Sequence, residues 1–195
     1  MAALKPNNRL ATLINRIHKA GLPDRFTKAA LTLAFNSYIK YAGTTGISIQ
    51  QWQLPPQGPQ AQAQPSQPQA QQSQQSQVEN QSIVTLKNRM HIQNHLGGIH
   101  ATAMATLAES ATGMLFGLYV PDTHVPLLKS MNIQFVARAQ GNLKAVATLT
   151  PEQQALIQTT DKGALIVPVK VTDQEGKEPI QCQMEWAWTM KRKKE

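Results

Sequence analysis

The chain has 195 residues, 41% of them hydrophobic, with 19 basic residues against 11 acidic and a net charge of +8. That length suits one domain with its own core, and the positive surplus favours anionic partners: nucleic acid, an acidic membrane or a phosphorylated small molecule. Aromatic residues make up 5%, poor for base stacking, no run of about 18 apolar residues is present to span a bilayer, and the lone Cys182 has no disulfide partner, which fits a reducing, cytoplasmic setting.

The N-terminal stretch carries Lys5, Pro6 and Arg9 without an apolar core, so it does not read as a secretory leader. Residues 10–34 predict two helices. Leu10, Leu13, Ile14 and Ile17 share one helix face, Gly21 stops the first helix, and Pro23 opens the second. In the second, Phe26, Ala29, Ala30 and Leu33 repeat the spacing and are expected to pack inward. A basic amphipathic surface lying on a membrane is the alternative. A strand is expected over 46–52. Residues 53–77 hold twelve Gln and five Pro; such a segment buries too little to offset its ordering entropy and is expected to be a disordered insertion within the single domain, 1–195.

A second strand is expected over 82–90, a polar glycine turn over 94–98, and then the best helix of the chain, running to Leu118 with Met104, Leu107, Ala108, Ala111, Leu115 and Leu118 on one face. The remainder reads as four strands, over 127–137, 143–150, 164–172 and 180–190. Thr150 and Pro151 start a short helix between the second and third. The turn Asp173-Gln174-Glu175-Gly176 predicts that the last two strands pair as a hairpin. One long helix beside an antiparallel sheet is an α+β arrangement.

The chemistry concentrates at 94–109. Glu109 is the one charged residue between Ala101 and Leu118. A carboxylate on an otherwise uncharged helix is costly to bury, which makes it a candidate functional acid with a perturbed pKa. The alternative is a solvent-edge position or an ion pair with a base such as Arg138. The first amides of the helix lack intrahelical partners and would polarise a carbonyl placed there. Gly97 and Gly98 allow close backbone approach. Thr106 and Thr112 flank Glu109 and either bond its carboxylate or bond back to the helix. His91, His95 and His100 lack metal-site spacing, so no metal and no cofactor are expected.

The pattern from Asn94 through Gly97 and His100 to Leu107-Ala108-Glu109 resembles the hot-dog thioesterases of the phenylacetate-pathway and hydroxybenzoyl-CoA type. It is still more similar to a domain-of-unknown-function branch of that superfamily. The resemblance implies a hot-dog fold, a central helix wrapped by an antiparallel sheet, with two additional N-terminal helices. It implies hydrolysis of an acyl-CoA thioester, or, where turnover has been lost, binding of an acyl-CoA or fatty acid. Glu109 matches the catalytic carboxylate, Asn94 the polar residue that positions carbonyl or water, the Ala101 N–H the oxyanion donor, His100 the helix-opening histidine and Gly97 the turn glycine. Gly98 and Thr112 join the substrate-binding set. Many relatives carry Gly-Gly where this chain has Ala101-Thr102, and Asp where it has Glu109. The acyl group is expected along Met104, Leu107 or Phe116. Arg138, Lys191 and Arg192 are candidates for the CoA phosphates. The implied partners are acyl-CoA and a second copy of the chain, as a homodimer or a tetramer built from dimers, with no nucleic acid and no integral membrane segment.

Overall fold

Helix α4 (Ala101–Gly117) is the centre of the molecule, and in the computed structural model, which describes residues 8–52 and 81–192, every other element is placed by it. Eleven of its seventeen residues are buried, among them Leu107, Ala111, Leu115 and Phe116. An α-helix apolar on most of its circumference demands cover on most sides. That cover is an antiparallel sheet in two parts. One part runs β1 (Ile47–Trp52), β2 (Gln81–Leu86), β4 (Leu143–Thr148) and β6 (Val169–Asp173); the other runs β3 (His124–Phe135), β7 (Ile180–Met190) and β5 (Lys162–Val167). Strands β1, β2 and β4 alternate buried and part-exposed residues, with Ile47, Ile49, Val84, Leu86, Ala145 and Ala147 facing α4.

Pro168 joins the two parts. It is the single residue between β5 and β6. Proline has no N–H for the ladder, so pairing breaks there and the chain bends. The stretch expected as one strand over 164–172 is therefore two, and five strands rather than four follow α4. The hairpin expected between that stretch and 180–190 forms only in its first half: Val167 pairs with Met184 and Lys162 with Thr189, while β6 turns away to pair with β4. Through the bend the chain passes from one part of the sheet to the other, and the two parts together wrap α4, which is the hot-dog arrangement.

The two sheet edges are treated differently. Edge strand β1 is covered by α2 (Asp24–Tyr38): the Ile49 N–H donates to Thr32 Oγ1 at 2.9 Å, and Asn36 Nδ2 donates to the Ile47 carbonyl at 3.1 Å. Unpaired edge groups are thereby satisfied from within the chain. Edge strand β3 has no such cover and is exposed along most of its length. Met131, Ile133 and Phe135 lie opposite Met184, Cys182 and Ile180, so they face the same side as α4, yet Met131 and Phe135 remain about half exposed.

Helix α1 (Arg9–Lys19) buries Ile14, with Leu10 and Ile17 of the expected face partly buried against the core; Leu13 of that face is exposed, and Ala11 is buried in its stead. In α2 the expected face is reversed. Thr27, Leu31 and Phe35 pack inward, while Phe26 and Leu33 point to solvent. The inward stripe contains a threonine, whereas the outward one is wholly apolar, and periodicity alone chose the wrong side. A short helix, α3 (Lys40–Thr45), ends at Gly46 (φ +76°) and leads into β1. Helix α5 (Pro151–Thr159) starts with the expected Thr150 cap, closed reciprocally by Gln153. The segment 53–80, which contains the expected insertion, lies outside the described residues; it leaves and re-enters at paired positions, since Trp52 faces Ser82 across β1 and β2.

Asn8 ties the N-terminal helices to α4. Its Oδ1 accepts the Ala11 N–H at 2.8 Å and caps α1, while its Nδ2 donates to the carbonyls of Gly117, Leu118 and Val120 at 2.7–3.1 Å. One buried amide thus satisfies the start of one helix and the end of another. Asn8→Ala removes the cap and strands buried carbonyls, and is expected to cost about 2–4 kcal/mol. Urea titration of both proteins checks this; a loss below about 0.5 kcal/mol would show that water replaces the amide.

Candidate functional site

The loop before α4 is built around Asn94. Its Oδ1 accepts the N–H groups of Leu96 (2.9 Å) and Gly98 (3.2 Å), and its backbone exchanges bonds with Gly97 and Gly98. The Asn94 Nδ2 makes no hydrogen bond among the described residues, so one donor remains for a ligand. Gly97 sits at φ +72°, a left-handed conformation that glycine adopts without steric cost. Gly98 is different: an added Cβ would meet nothing closer than 3.8 Å. The glycine pair therefore serves the turn through Gly97, and close approach at Gly98 is not what the backbone requires. Arg138 braces the same loop by donating from Nη2 to the Leu96 carbonyl at 2.7 Å.

His100 is the N-cap of α4. Its Nδ1 accepts the Thr102 N–H at 3.2 Å, and the Ala103 and Met104 amides turn back to the His100 carbonyl. The Ala101 N–H alone in this first turn has no partner among the described residues. A free amide at the positive end of a helix is an anion or oxyanion donor.

Glu109 lies two turns on. Apart from the exposed Thr102 in the first turn, the less-buried positions of α4, Ala101, Ala105, Glu109, Gly113 and Gly117, recur every four residues and form one stripe of small residues with a single carboxylate in it. The Glu109 carboxylate makes no hydrogen bond and no ion pair among the described residues; Arg138, the base considered as its partner, is engaged with the loop instead. Partial burial pushes the Glu109 carboxyl above the usual glutamate range, by desolvation.

Thr112 does not belong to the open face. It is fully buried, donates to the Ala108 and Glu109 carbonyls at 2.9 and 3.0 Å, and accepts the Trp186 Nε1–H at 2.9 Å. The expectation that it touches substrate is corrected: its hydroxyl anchors the indole that lies over Gly113, where an added Cβ would come within 2.7 Å of the ring. Thr106 likewise bonds back to the Thr102 carbonyl. The Trp186 contact joins residues 74 apart, so no local pattern announces it. Leu107 and Phe116 are solid core and line no groove in the single chain, and Met104 is 7% exposed. Two cavities, of about 320 and 250 Å³, lie instead beside α1 and between α2 and β1.

The basic residues separate. Arg138 is beside the start of α4. Lys191 donates to the Asp122 carbonyl, and its backbone N–H to Thr123, just past the end of α4; Arg192 follows it. About 24 Å of helix lies between the two groups. No group of three or more His, Cys, Asp or Glu suited to a metal occurs among the described residues, and no helix among them is long and apolar enough to cross a membrane.

A sheet wrapped around one central helix is the hot-dog fold, here with a lone carboxylate on the less-buried side of that helix. The chain belongs to the family described as Domain of unknown function (DUF4442), which matches residues 70–188. Among solved structures it is similar to a Pseudomonas aeruginosa protein of unknown function described as a Probable Thioesterase, at a TM-score of 0.64 and 17% identity over 87% of this chain and 97% of that one. A mutant thioesterase from Staphylococcus aureus gives a TM-score of 0.53 at 14% identity, covering 77% of this chain and 98% of that one. A Haemophilus influenzae thioesterase gives 0.53 at 12% identity, covering 77% and 82%. At these identities the likeness establishes the fold. No curated protein matches the sequence.

The raised Glu109 carboxyl has a stability consequence. A carboxyl that binds its proton more tightly when folded stabilises the fold below the unfolded pKa, and that contribution is lost as pH rises through the folded value. Glu109→Gln removes the charge, so it is expected to melt above wild type at neutral pH and together with it below the ordinary carboxylate range. Thermal melts of both proteins across that range check the sign; a variant less stable than wild type at neutral pH would show that the ionised carboxylate is favourably held.

Proposed function

We propose that the protein is an acyl-CoA thioesterase that works as a homodimer. The observation that carries this reading is the pairing, on the one open face of α4, of a free amide donor at Ala101 with a desolvated, unpartnered carboxylate at Glu109. In thioester hydrolysis a carbonyl oxygen gains negative charge while an oxygen nucleophile attacks its carbon. The C–S bond then breaks, the thiolate takes up a proton, and one water is consumed. The Ala101 N–H holds the developing oxyanion, and Asn94 Nδ2 donates to the carbonyl or the attacking water. Glu109 takes the proton from the attacking water and passes it to the departing thiolate, or attacks the carbon itself, forming an acyl anhydride that the water then hydrolyses to free the carboxylate.

Geometry within one chain argues for a second. Eight residues separate Ala101 from Glu109, about 12 Å of helix rise, and a glutamate side chain spans only part of that. One carbonyl cannot touch both groups of the same helix, but it can touch Ala101 of one protomer and the carboxylate of another. The uncovered β3 edge, with Met131 and Phe135 exposed beside it, supports antiparallel pairing of two copies through β3. Such pairing sets each end of β3 against the opposite end in the partner. Lys191 and Arg192, which follow the strand beside the start of β3, then approach the partner's loop at Arg138, so both basic groups meet the phosphates of one CoA. The acyl chain lies in the groove that the second copy completes. This reading also places the protein in a reducing cytoplasm, where Cys182, its thiol pushed up to about 11 by burial, stays unreactive.

The test is thiol release from a panel of short, long and aromatic acyl-CoAs. Wild type is expected to turn over at least one class, and Glu109→Ala to lose about a hundredfold or more. The acid limb of kcat/KM is expected to fall with a midpoint above the usual glutamate range. If nothing is hydrolysed at high enzyme concentration while acyl-CoA still binds, the protein is a non-catalytic acyl-CoA carrier. Light scattering tests the assembly: wild type is expected at twice the chain mass, and Met131→Arg at the monomer mass with activity lost. A wild-type monomer that turns over would defeat the two-chain site.

A further inference from the structure

Helix α2 presents to solvent the stripe its sequence would bury. Phe26 is 48% exposed and Leu33 70%, with Leu22 (46%) just before the helix; Tyr38 (86%) is its last residue, and Ile39 (40%) and Tyr41 (59%) follow it. Leu22 also lines the cavity between α2 and β1, whereas Phe26 and Leu33 line neither that cavity nor the one beside α1. The N-terminal segment that carries this face has a one-sided charge, although Arg9 lies 4.0 Å from Asp122. Residues 8–46 carry Arg9, Arg16, Lys19, Arg25, Lys28 and Lys40 against a single acid, Asp24, a surplus of five within a chain whose whole surplus is eight. That acid is already paired with Lys28 at 2.6 Å. The Arg25 guanidinium lies 4.6 Å from the centre of the exposed Phe26 ring, so cation and apolar surface are offered together.

We propose that the outward face of α2, together with the exposed Tyr38, Ile39 and Tyr41 at its C-terminal end, docks onto the anionic surface of a phospholipid bilayer. Leucine, phenylalanine and tyrosine set among cations are what an interfacial surface requires: the apolar groups enter the headgroup boundary and the cations meet lipid phosphates. A second copy of the chain fits poorly, because a two-fold contact through this face would set Arg25, beside Phe26, against its own copy, with no free acid on α2 to meet it. The face is remote in the chain from Glu109 and from β3, so the proposal stands apart from the reading of the active site.

The experiment is co-sedimentation of the full chain with phosphatidylcholine vesicles, with and without phosphatidylserine. Binding to the anionic vesicles is expected to exceed binding to the neutral ones about tenfold or more and to weaken as salt is raised. Phe26→Asp with Leu33→Asp is expected to abolish it, with the melting temperature and the mass by light scattering unchanged, since both side chains are exposed. Arg25→Glu with Lys40→Glu, which leaves the apolar stripe intact, is expected to lower it about tenfold or more. No binding to anionic vesicles overturns the proposal. So does binding indifferent to both double variants. A mass that falls in Phe26→Asp with Leu33→Asp overturns it in favour of a contact between copies.

Discussion

Covering α4 is the constraint on which the rest of this structure depends. A helix of alanine, leucine, methionine and threonine, apolar on most sides, has no stable place at a surface. The sheet must curl around it, and the curl needs a break, which Pro168 supplies without leaving a donor unpaired. Small residues at Ala101, Ala105, Gly113 and Gly117 keep the last side of the helix shallow. On that side the burial is incomplete, and there the single carboxylate sits.

The same constraint explains which parts of the fold were legible in the sequence. Where one helix face or one strand face decides burial, the pattern was sufficient: α4, β1, β2, β4 and the Thr150 cap stand close to where periodicity and capping chemistry place them. Two misreadings had a physical cause. In α2 the packing partner is the edge of β1, which needs the hydroxyl of Thr32 and the amide of Asn36 as much as apolar contact, so the more hydrophobic stripe was the wrong one. At 162–173 the alternation carries on through Pro168, and only the missing N–H marks the change of sheet.

The candidate site was legible to a similar degree. Glu109 stood out as a charge without company, and Asn94, Gly97 and His100 as turn and cap chemistry, all of which are local signals. Thr112 was misjudged because its partner is an indole 74 residues away. Asn8 was overlooked although it precedes a helix directly, the usual place of a capping amide; its second task, at the end of α4, depends on contacts more than a hundred residues distant.

The tryptophans have a further significance. There are three in the chain, and all of them gather around the central helix. Trp52 donates its indole N–H to the Met114 carbonyl at 3.0 Å, Trp186 donates to Thr112, and Trp188 lies 6.0 Å from Phe116, centre to centre. The intrinsic fluorescence of this protein is therefore a signal from α4. An event at Glu109, one turn from the Trp186 anchor, has an optical reporter already in place, with no label to be added.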